Sequence, residues 1–290
     1  MRFAVYAPCF GPLADPAAVA ALAVDAEAAG WDGFFVWDHL AMWWNRSEPV
    51  GDTSIALAAI AVATSRIRFG PLVTPLPRRR PHKVAREAVA LDHLSGGRLI
   101  LGVGLGSNRH EFEDLGEEEG LRARAGTLDE ALEVLTGLWS GEPFEHRGSR
   151  YRVSGQFLPR PVQRPRIPIW VAGSWPKRAP FRRAARFDGA LAVLAEPGPF
   201  NTPPETVREI RDFVSGFRDP AAPFDIFVVN GNPQWDPDRD GAEVARYAGT
   251  GLTWWGEGID PFRFGWEPGG TWPASAIRER ILAGPPRFGE

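Results

Sequence analysis

Two kinds of apolar pattern alternate along the chain. Val19, Leu22, Ala23 and Ala26 recur at helical spacing and predict a helix with one apolar face. Other apolar stretches, such as 2–7 (RFAVYA), are short and end at proline or glycine, which indicates buried strands. Taken in order, the pattern predicts eight strands, each followed by a helix, at 2–7, 33–37, 66–73, 98–103, 167–172, 189–194, 224–229 and 250–255.

This alternation indicates the fold class. Eight strand-then-helix units without a break in composition favour an α/β fold, a (β/α)8 TIM barrel formed by residues 1–290 as a single domain. The rival, a doubly wound open sheet with a second domain, would need a linker that the sequence does not contain. Residues 141–165 interrupt the alternation, and Arg147-Gly148-Ser149 between two short segments predicts a small hairpin between units four and five.

Capping residues predict where several helices begin. Asp15 followed by Pro16 is an N-cap with proline at the first helical position. Asp52 or Thr53 is expected to cap the second helix, and 202–205 (TPPE) has the spacing of a capping box.

Composition and charge narrow the class of protein. Apolar residues make up 44% of the chain and charged residues 24%, which is typical of a globular protein with a sizeable core. The net charge of -3 predicts no attraction to nucleic acid or to an anionic membrane. A single cysteine, Cys9, excludes an intramolecular disulfide bond. Because the chain also lacks a signal-peptide pattern and a long apolar run, we expect a cytoplasmic protein.

In a barrel, the loops at the carboxyl ends of the strands form the active-site face. In this chain those loops are rich in hydrogen-bonding, glycine and aromatic residues, and the five histidines are scattered. A metal-dependent hydrolase would instead need several histidines and carboxylates that converge, so no metal site is predicted. The strand-end residues are Pro8, Cys9, Asp38, His39, Val73, Thr74, Gly104–Asn108, Gly173, Ser174, Leu194, Glu196, Asn230, Asn232, Trp254, Trp255 and Glu257.

A glycine run, Gly102-x-Gly104-x-Gly106, follows the fourth predicted strand. A dinucleotide-binding fingerprint would also need a helix that begins inside the motif and an acidic residue about 20 positions later. An acidic segment at 111–119 follows instead, which argues against classical NAD binding. Backbone amides in such a loop can still hold a phosphate or the edge of a flavin.

Seven short motifs occur in an order that resembles the bacterial luciferase-like monooxygenase superfamily, which includes FMN-dependent monooxygenases and coenzyme F420-dependent oxidoreductases. The resemblance covers most of residues 1–195 and implies a (β/α)8 barrel. The motifs are Asp38-His39, 66–70 (RIRFG), 94–98 (LSGGR), 101–106 (LGVGLG), 111–116 (EFEDLG), 168–174 (PIWVAGS) and 187–189 (FDG).

The resemblance implies where a cofactor would lie. The ring would cover the barrel mouth, backed by a bulge at Leu72-Val73 that in this family is often a non-prolyl cis peptide. Thr74 matches a position that hydrogen-bonds the edge of the ring, and Asp38 matches one that contacts the cofactor. The phosphate tail would be held by two segments, the loop Leu105, Gly106, Ser107 and Asn108 and the turn with Gly173, Ser174 and Lys177.

Asp38 and His39 match the pair of residues that takes the most direct part in the chemistry of the family. In some F420 dehydrogenases the histidine stabilises developing charge or moves a proton, which an imidazole can do near neutral pH. The alternative is that His39 only packs at the end of its strand. Where the related sugar-phosphate dehydrogenases carry a glutamate directly after the glycine loop, this chain has Ser107. That difference puts an identical dehydrogenase chemistry in doubt.

Aromatic and basic residues near the strand ends are further candidates. Trp43, Trp44, Trp254 and Asn230 are predicted to line a substrate pocket, although alternation along the strand sends either Trp254 or its neighbour away from the mouth. The three arginines of 78–80 (RRR) are predicted to be solvent-exposed residues just before the third helix. The alternative is that they bind an anionic cofactor tail. Cys9 is predicted to be a small buried apolar residue.

The resemblance predicts a flavin-dependent oxidoreductase with FMN or coenzyme F420 as its cofactor. Our first hypothesis is a luciferase-like monooxygenase that uses reduced FMN and oxygen on a small organic substrate. The alternatives are an F420-dependent hydride-transfer dehydrogenase or reductase and a non-catalytic flavin-binding barrel. We expect a homodimer, supplied with reduced cofactor by a separate flavin reductase or F420-reducing enzyme, with neither nucleic acid nor membrane as a partner.

Overall fold

A computed structural model describes residues 1–45, 47–117, 120–195, 202–230 and 237–287. Parallel strands alternate with helices through most of this chain. The strands are β1 (Arg2–Ala7), β2 (Gly33–Val36), β3 (Arg68–Pro71), β4 (Thr74–Pro75), β5 (Leu101–Gly104), β6 (Phe144–Arg147), β7 (Arg152–Gly155), β8 (Ile169–Trp175), β9 (Gly189–Leu194), β10 (Asp225–Asn230) and β11 (Trp254–Gly258). The helices are α1 (Pro16–Ala28), α2 (Thr53–Ala63), α3 (Pro81–Leu94), α4 (His110–Glu113), α5 (Gly120–Trp139), α6 (Arg178–Ala184), α7 (Pro204–Ser215), α8 (Pro237–Ala245) and α9 (Ala274–Leu282).

Nine strands form one parallel sheet in the order β3-β2-β1-β11-β10-β9-β8-β5-β4. β3 and β4 are two parts of one barrel strand, separated at Leu72 and Val73, whose peptide bond is cis, as the resemblance implied. A parallel bridge between Phe69 and Leu99 brings the two ends of the sheet together. Gly70 permits this approach because a Cβ there would lie 1.8 Å from the carbonyl oxygen of Ile100. The predicted (β/α)8 TIM barrel is confirmed.

Apolar side chains fill both faces of the sheet. Ala4, Phe35, Trp170, Phe227 and Trp254 belong to a buried cluster inside the barrel. A larger cluster outside it packs the strands against the surrounding helices. Because successive side chains of a strand point to opposite faces, each strand contributes to both clusters. This explains the continuous apolar runs that identified the strands in the sequence.

Two of the strand boundaries that were predicted wrongly affect the candidate site. The strand predicted at 250–255 is β11, which begins only at Trp254, because Gly249 and Gly251 adopt positive φ and turn the chain around Thr250. The strand predicted at 167–172 continues as β8 to Trp175. Both shifts move residues relative to the carboxyl-terminal mouth of the barrel.

The predicted capping box at 202–205 is also wrong. α7 begins at Pro204, and its N-cap residue, Pro203, has no side chain that can accept a hydrogen bond. The Thr202 hydroxyl instead donates to the carbonyl oxygen of Ala192 at 3.1 Å. By contrast, Asp15 and Asp52 accept hydrogen bonds from the first turns of α1 and α2, as predicted.

The helices of the described chain differ from membrane spans. None of them is both long enough and apolar enough to cross a membrane. α5 has 20 residues but carries five charged side chains, and α2 is uniformly apolar but has only 11 residues, against about 20 needed to span a bilayer.

The predicted hairpin between units four and five is confirmed as β6 and β7, which pair antiparallel. Glu130 of α5 holds its turn, because its carboxylate accepts hydrogen bonds from the backbone amides of Ser149 (2.9 Å), Arg150 (2.9 Å) and Tyr151 (3.1 Å). Desolvation opposes ionisation of Glu130, but these bonds, that of the Ser149 hydroxyl and the contact with His146 lower its pKa to about 2. The ionised form therefore stabilises the hairpin.

Glu130→Gln is expected to lower the free energy of unfolding at pH 7 by about 1–2 kcal/mol, a value reduced for partial solvent exposure. The pKa is lowered on folding, so the contribution is present above the unfolded value of 4.5 and is lost as the pH falls from there to about 2. Urea titrations at pH 7 and pH 3 would show the difference between wild type and variant narrowing at the lower pH. Glu133→Gln, on the same helix, is the control and should change stability by less than about 0.5 kcal/mol.

Candidate active site

The carboxyl ends of the barrel strands surround an apolar floor. Tyr6, Val73, Ala172 and Val193 pack on top of the inner cluster and are only half-buried, so their upper surfaces face the mouth. The Tyr6 hydroxyl donates to the carbonyl oxygen of Leu72 at 2.9 Å. This hydrogen bond connects β1 to the break between β3 and β4 and holds these two parts of the floor together.

A buried network of charges stands at one side of this floor. Arg78, at the end of the 3-10 turn after β4, has a side chain that is 2% exposed. Its guanidinium donates to the Asp38 carboxylate (2.8 Å) and to the backbone carbonyl of Asp38 (3.1 Å), and it also forms an ion pair with Glu111. Two buried carboxylates from different loops are thus bridged by one cation.

Glu111 also organises the loop that follows β2. Its Oε1 accepts hydrogen bonds from the backbone amide of Leu40 at 2.7 Å and from that of Ala41 at 3.3 Å. The same oxygen lies 3.0 Å from Nδ1 of His39. An ionised carboxylate can only accept, so Nδ1 carries a proton and Nε2 of the neutral imidazole is left as a base.

The electrostatic environment keeps Glu111 ionised. Burial by itself would raise its pKa, but the hydrogen bond from His39, the positive charge that His39 carries when it is protonated, the charge of Arg78 and the Leu40 amide together hold the pKa below its ordinary value. The His39 side chain is 15% exposed, whereas that of Glu111 is 1% exposed. The arrangement is a reachable imidazole oriented by a buried carboxylate, which suits proton transfer.

Sequence reasoning identified Asp38 and His39 and missed Glu111 and Arg78 as parts of the site. Arg78 was predicted to be solvated, which is wrong, because its side chain is enclosed between the two carboxylates. One signal was available for Glu111, since it opens one of the motifs that carry the family resemblance. For Arg78 the signal was its place directly after β4, at a strand end rather than inside a helix.

The loop after β5 is held by its own contacts. The Asn108 side chain donates to the Ala41 carbonyl at 2.8 Å and accepts from the His110 amide at 3.2 Å. The Asn108 side chain is thus engaged within the loop, and the contact of this loop with a phosphate tail stays a prediction. Leu105 packs against the outer core, Ser107 is exposed, and Gly106 adopts φ +82 with the Phe112 ring 2.7 Å from where a Cβ would lie.

The segment expected to be a turn after the fifth barrel strand is part of β8 itself. Gly173 faces outwards, because a Cβ there would lie 2.8 Å from Pro180 and 3.0 Å from the Phe181 ring. Ser174 has the opposite orientation and is half-buried at the mouth. Lys177 is exposed and is the N-cap residue of α6. Ser174 and Lys177 stay candidates for a phosphate contact, whereas Gly173 is explained by packing.

Thr74 does not lie on the floor of the mouth. The residue is 5% exposed and lines a small cavity between β4 and the helices α2 and α3, together with Ser54, Arg79 and Glu87. This placement does not favour the expected hydrogen bond between Thr74 and the edge of a ring. The break between β3 and β4 turns Leu72 and Val73 inwards and leaves Thr74 facing outwards.

The tryptophans that were predicted to line a substrate pocket lie in different regions of the structure. Trp44 belongs to an aromatic cluster above β1, β2 and β11, whereas Trp43 is 55% exposed with its ring centroid 6.0 Å from that of His39. Trp254 is wrong as a pocket residue, because it pairs with Arg2 at the amino end of the barrel and is buried in the inner cluster. Asn230 ends β10, and its side chain lies outside the described residues.

Cys9 behaves as the sequence predicted. It is 3% exposed and packs with Phe10, Trp37, Met42 and Trp266. Burial raises the pKa of the thiol to about 12, and the negative charges of Asp38 and Glu111 act in the same direction against nearby backbone hydrogen bonds. A thiol with this pKa is protonated at neutral pH, which argues against a role as nucleophile.

The mouth fits the planar ring that the resemblance implies. The half-buried floor offers an apolar surface, and the indole Nε1 of Trp37, directly after β2, is buried without a hydrogen-bond partner among the described residues. Ser107, Ser174 and Lys177 are accessible at the rim for a polar tail. In the described ranges, no cluster of three or more His, Cys, Asp or Glu side chains could hold a metal ion.

Comparison with known proteins identifies the family. A family model described as luciferase-like monooxygenase matches residues 1–262. An uncharacterized protein of Mycobacterium tuberculosis is 31% identical over 226 residues, which are 72% of this chain and 75% of that protein. An F420-dependent glucose-6-phosphate dehydrogenase of Nocardia farcinica is 32% identical over 53% of this chain, and the match spans only 47% of that enzyme.

Solved structures agree on the fold. The monooxygenase RslO1 from Streptomyces bottropensis has a TM-score of 0.73 and 22% identity, with 98% of each chain covered. At this identity the likeness supports the barrel fold alone. Proteins similar to this chain include both F420-dependent and FMN-bound enzymes. With a family model that covers most of its length, this chain belongs to the luciferase-like monooxygenase family.

Proposed function

We propose that this protein is an F420-dependent oxidoreductase that transfers a hydride between the cofactor and the carbon of an alcohol or carbonyl group. The observation that carries the proposal is the contact between His39 Nδ1 and the Glu111 carboxylate (3.0 Å), which leaves Nε2 of a reachable imidazole as a base. Sequence identity of about a third to F420-dependent dehydrogenases over roughly half the chain supports the choice of cofactor.

The proton chemistry follows from the network of charges. When bound, F420 supplies a two-electron hydride acceptor or donor. An alcohol carbon that loses hydride must also lose the hydroxyl proton, and His39 Nε2 accepts that proton. The Glu111 carboxylate then stabilises the imidazolium, and Arg78 keeps that carboxylate ionised. In the reverse direction, the imidazolium returns the proton to the oxygen of a ketone.

The half-buried floor would support the ring, with Val73 and Ala172 beneath it. Ser107, Ser174 and Lys177 would contact the phosphate tail. The exposed indole of Trp43 stands beside His39 and would cover one side of the substrate. A second candidate function, a monooxygenase that uses reduced FMN and oxygen, is favoured by the description of the matching family.

Titration of the purified protein with F420 and with FMN distinguishes these functions. F420 is expected to bind with micromolar or tighter affinity and more tightly than FMN, measured by cofactor fluorescence. Loaded protein should then reduce F420 with a secondary alcohol in the absence of oxygen. Preferred binding of FMN with substrate-dependent oxygen consumption would establish the second candidate. Tight binding of F420 without turnover on any alcohol or ketone would favour a non-catalytic flavin-binding barrel.

A further inference from the structure

One outer face of the barrel is formed by two helices with almost no charge. α1 and α2 pack directly against each other outside the sheet. Of their 13 and 11 residues, only Asp25 and Glu27 are charged, whereas α5 and α7 carry five charged residues each. Asp25 pairs with Arg278 of α9 at 2.7 Å, and Glu27 accepts hydrogen bonds from the backbone amides of Arg66 and Ile67. Both carboxylates therefore serve contacts within the chain.

The side chains that α1 and α2 expose are all apolar. Ile55 is 58% exposed and Val62 is 68% exposed. A helix that is apolar all round is normally buried, and a contiguous exposed apolar surface marks an interaction site. We define the α1–α2 face as the exposed residues of both helices together with two half-buried alanines of α2, namely Ala17, Ala21, Val24, Ala28, Ile55, Ala58, Ala59, Val62 and Ala63.

The outer side of α2 has the shape of a helix-packing surface. Ile55, Ala58, Ala59 and Val62 follow one another at three- and four-residue spacing, so they lie along one line of the helix. The small side chains in the middle let a second helix approach closely, and the branched side chains at the two ends fill the space on either side. Another helix can therefore pack along this line.

The chemistry of the face favours a second copy of this chain as the partner. A twofold interface brings the same surface of both copies together, so that surface must be complementary to itself. An uncharged apolar face meets this requirement, because no like charges approach each other. A helix that binds a membrane surface would carry lysine or arginine beside its apolar face, and α1 and α2 contain neither.

We propose that this protein forms a twofold-symmetric homodimer in which the α1–α2 face of one copy packs against the same face of the other. Ala58 and Ala59, in the middle of α2, lie nearest the twofold axis. The proposal assigns a surface to the expected homodimer and does not depend on the proposed function. The face lies on the side of the barrel, so dimerisation leaves the carboxyl-terminal mouth open.

The size of the face limits the affinity. Helices of 11 and 13 residues are about 16 and 20 Å long, and side by side, about 10 Å apart, they present roughly 400 Å² per copy. A standard interface buries about 800 Å² per partner. We therefore expect a dimer of micromolar affinity that is in equilibrium with the monomer.

α2 is held in place by its own chain, so its outer side can be changed without loss of the fold. The Thr53 hydroxyl donates to the carbonyl oxygen of Trp37 at 2.7 Å, and the Asp52 carboxylate caps the first turn. At the other end, the Arg98 guanidinium donates to the carbonyl oxygen of Ala61 at 2.7 Å. Charged variants of the exposed positions should therefore have the far-UV circular dichroism spectrum of wild type.

The test measures mass by sedimentation and light scattering across the micromolar range. Wild type should reach twice the monomer mass of 31.9 kDa at the upper end of this range. Ile55→Glu and Val62→Lys each introduce a charge that the helix dipole tolerates at that end of α2. Each should weaken dimerisation at least about 100-fold, because the charge is buried without a partner. Leu121→Glu, at a leucine of α5 that is 60% exposed, is the matched control and should dimerise as wild type does.

A cysteine cross-link tests the position of the axis. The native Cys9 is 3% exposed and burial raises its pKa to about 12, so it does not react under mild oxidation. In Ala59→Cys, two thiols near the axis should form a disulfide bond between the copies, seen as a dimer on a non-reducing gel. Ala179→Cys, at an exposed alanine of α6, should stay a monomer on the same gel.

Three results would overturn the proposal. They are a wild type that is monomeric throughout the range, a dimer that neither Ile55→Glu nor Val62→Lys weakens, and cross-linking of Ala179→Cys equal to that of Ala59→Cys. A monomeric wild type that binds phosphatidylcholine vesicles, with loss of binding in Val62→Lys, would assign the face to a lipid surface instead. None of these measurements uses F420, so their outcome is separate from that of the proposed function.

Discussion

His39→Ala is expected to lower kcat for alcohol oxidation by about 100- to 10,000-fold while the affinity for the cofactor stays nearly unchanged. The reason is that the imidazole is the reachable proton acceptor of the site, whereas the floor beneath the cofactor ring is formed by other residues. The measurements are cofactor titration and steady-state turnover under anaerobic conditions. His82→Ala, which removes an exposed histidine on α3, is the control and should leave both quantities as they are.

Turnover decides the role of His39. A His39→Ala variant with wild-type turnover would reduce His39 to a packing residue.

Glu111→Gln is expected to lower both activity and stability. A neutral amide no longer balances Arg78 in a buried position, and loss of one partner of a buried ion pair typically costs about 3–5 kcal/mol. Because the amide no longer requires a proton on His39 Nδ1, the imidazole can adopt the unproductive tautomer, and kcat should fall by at least about 100-fold. Urea unfolding and steady-state kinetics measure the two effects.

The stability effect of Glu111 depends on pH in a defined direction. Its pKa is lowered in the folded protein, so its contribution is present above the unfolded value of 4.5 and is lost as the pH falls below it. The stability difference between wild type and Glu111→Gln should therefore narrow below that value. Glu113→Gln, which removes a surface partner of Arg109 on the same helix, should cost less than about 1 kcal/mol at any pH. Equal losses in the two variants would contradict a special role for Glu111.

Elements with strong local signals were predicted closely. β1 and β9 occupy the predicted residues, because each is a short apolar run that ends at proline, glycine or a polar turn. The wrong start predicted for β11 also has a local cause, but one that lies in the backbone conformation of glycines. Thr250 and Leu252 have strand-like character, but the glycines on either side of Thr250 take positive φ, which the apolar pattern does not indicate. That shift moved Trp254 from the predicted mouth to the opposite end of the barrel.

The site depends on contacts between residues far apart in the chain. His39 and Glu111 are separated by 72 positions, and Arg78 and Glu111 by 33. A run of three arginines is a solvated segment in most proteins, and only the enclosure of Arg78 between Asp38 and Glu111 makes it a buried cation here.

By itself, the sequence determined the eightfold alternation, the barrel fold, the family and the strand end that carries Asp38 and His39. These properties depend on neighbouring residues, whose apolar spacing, caps and turns act over a few positions. Only the tertiary structure decided which residues meet at the mouth, namely the pairing of His39 with Glu111, the burial of Arg78 and the displacement of Thr74 and Trp254 from the site. Closure of the sheet determines these contacts, because it sets the strand register and brings loops that are distant in sequence to the same end of the barrel.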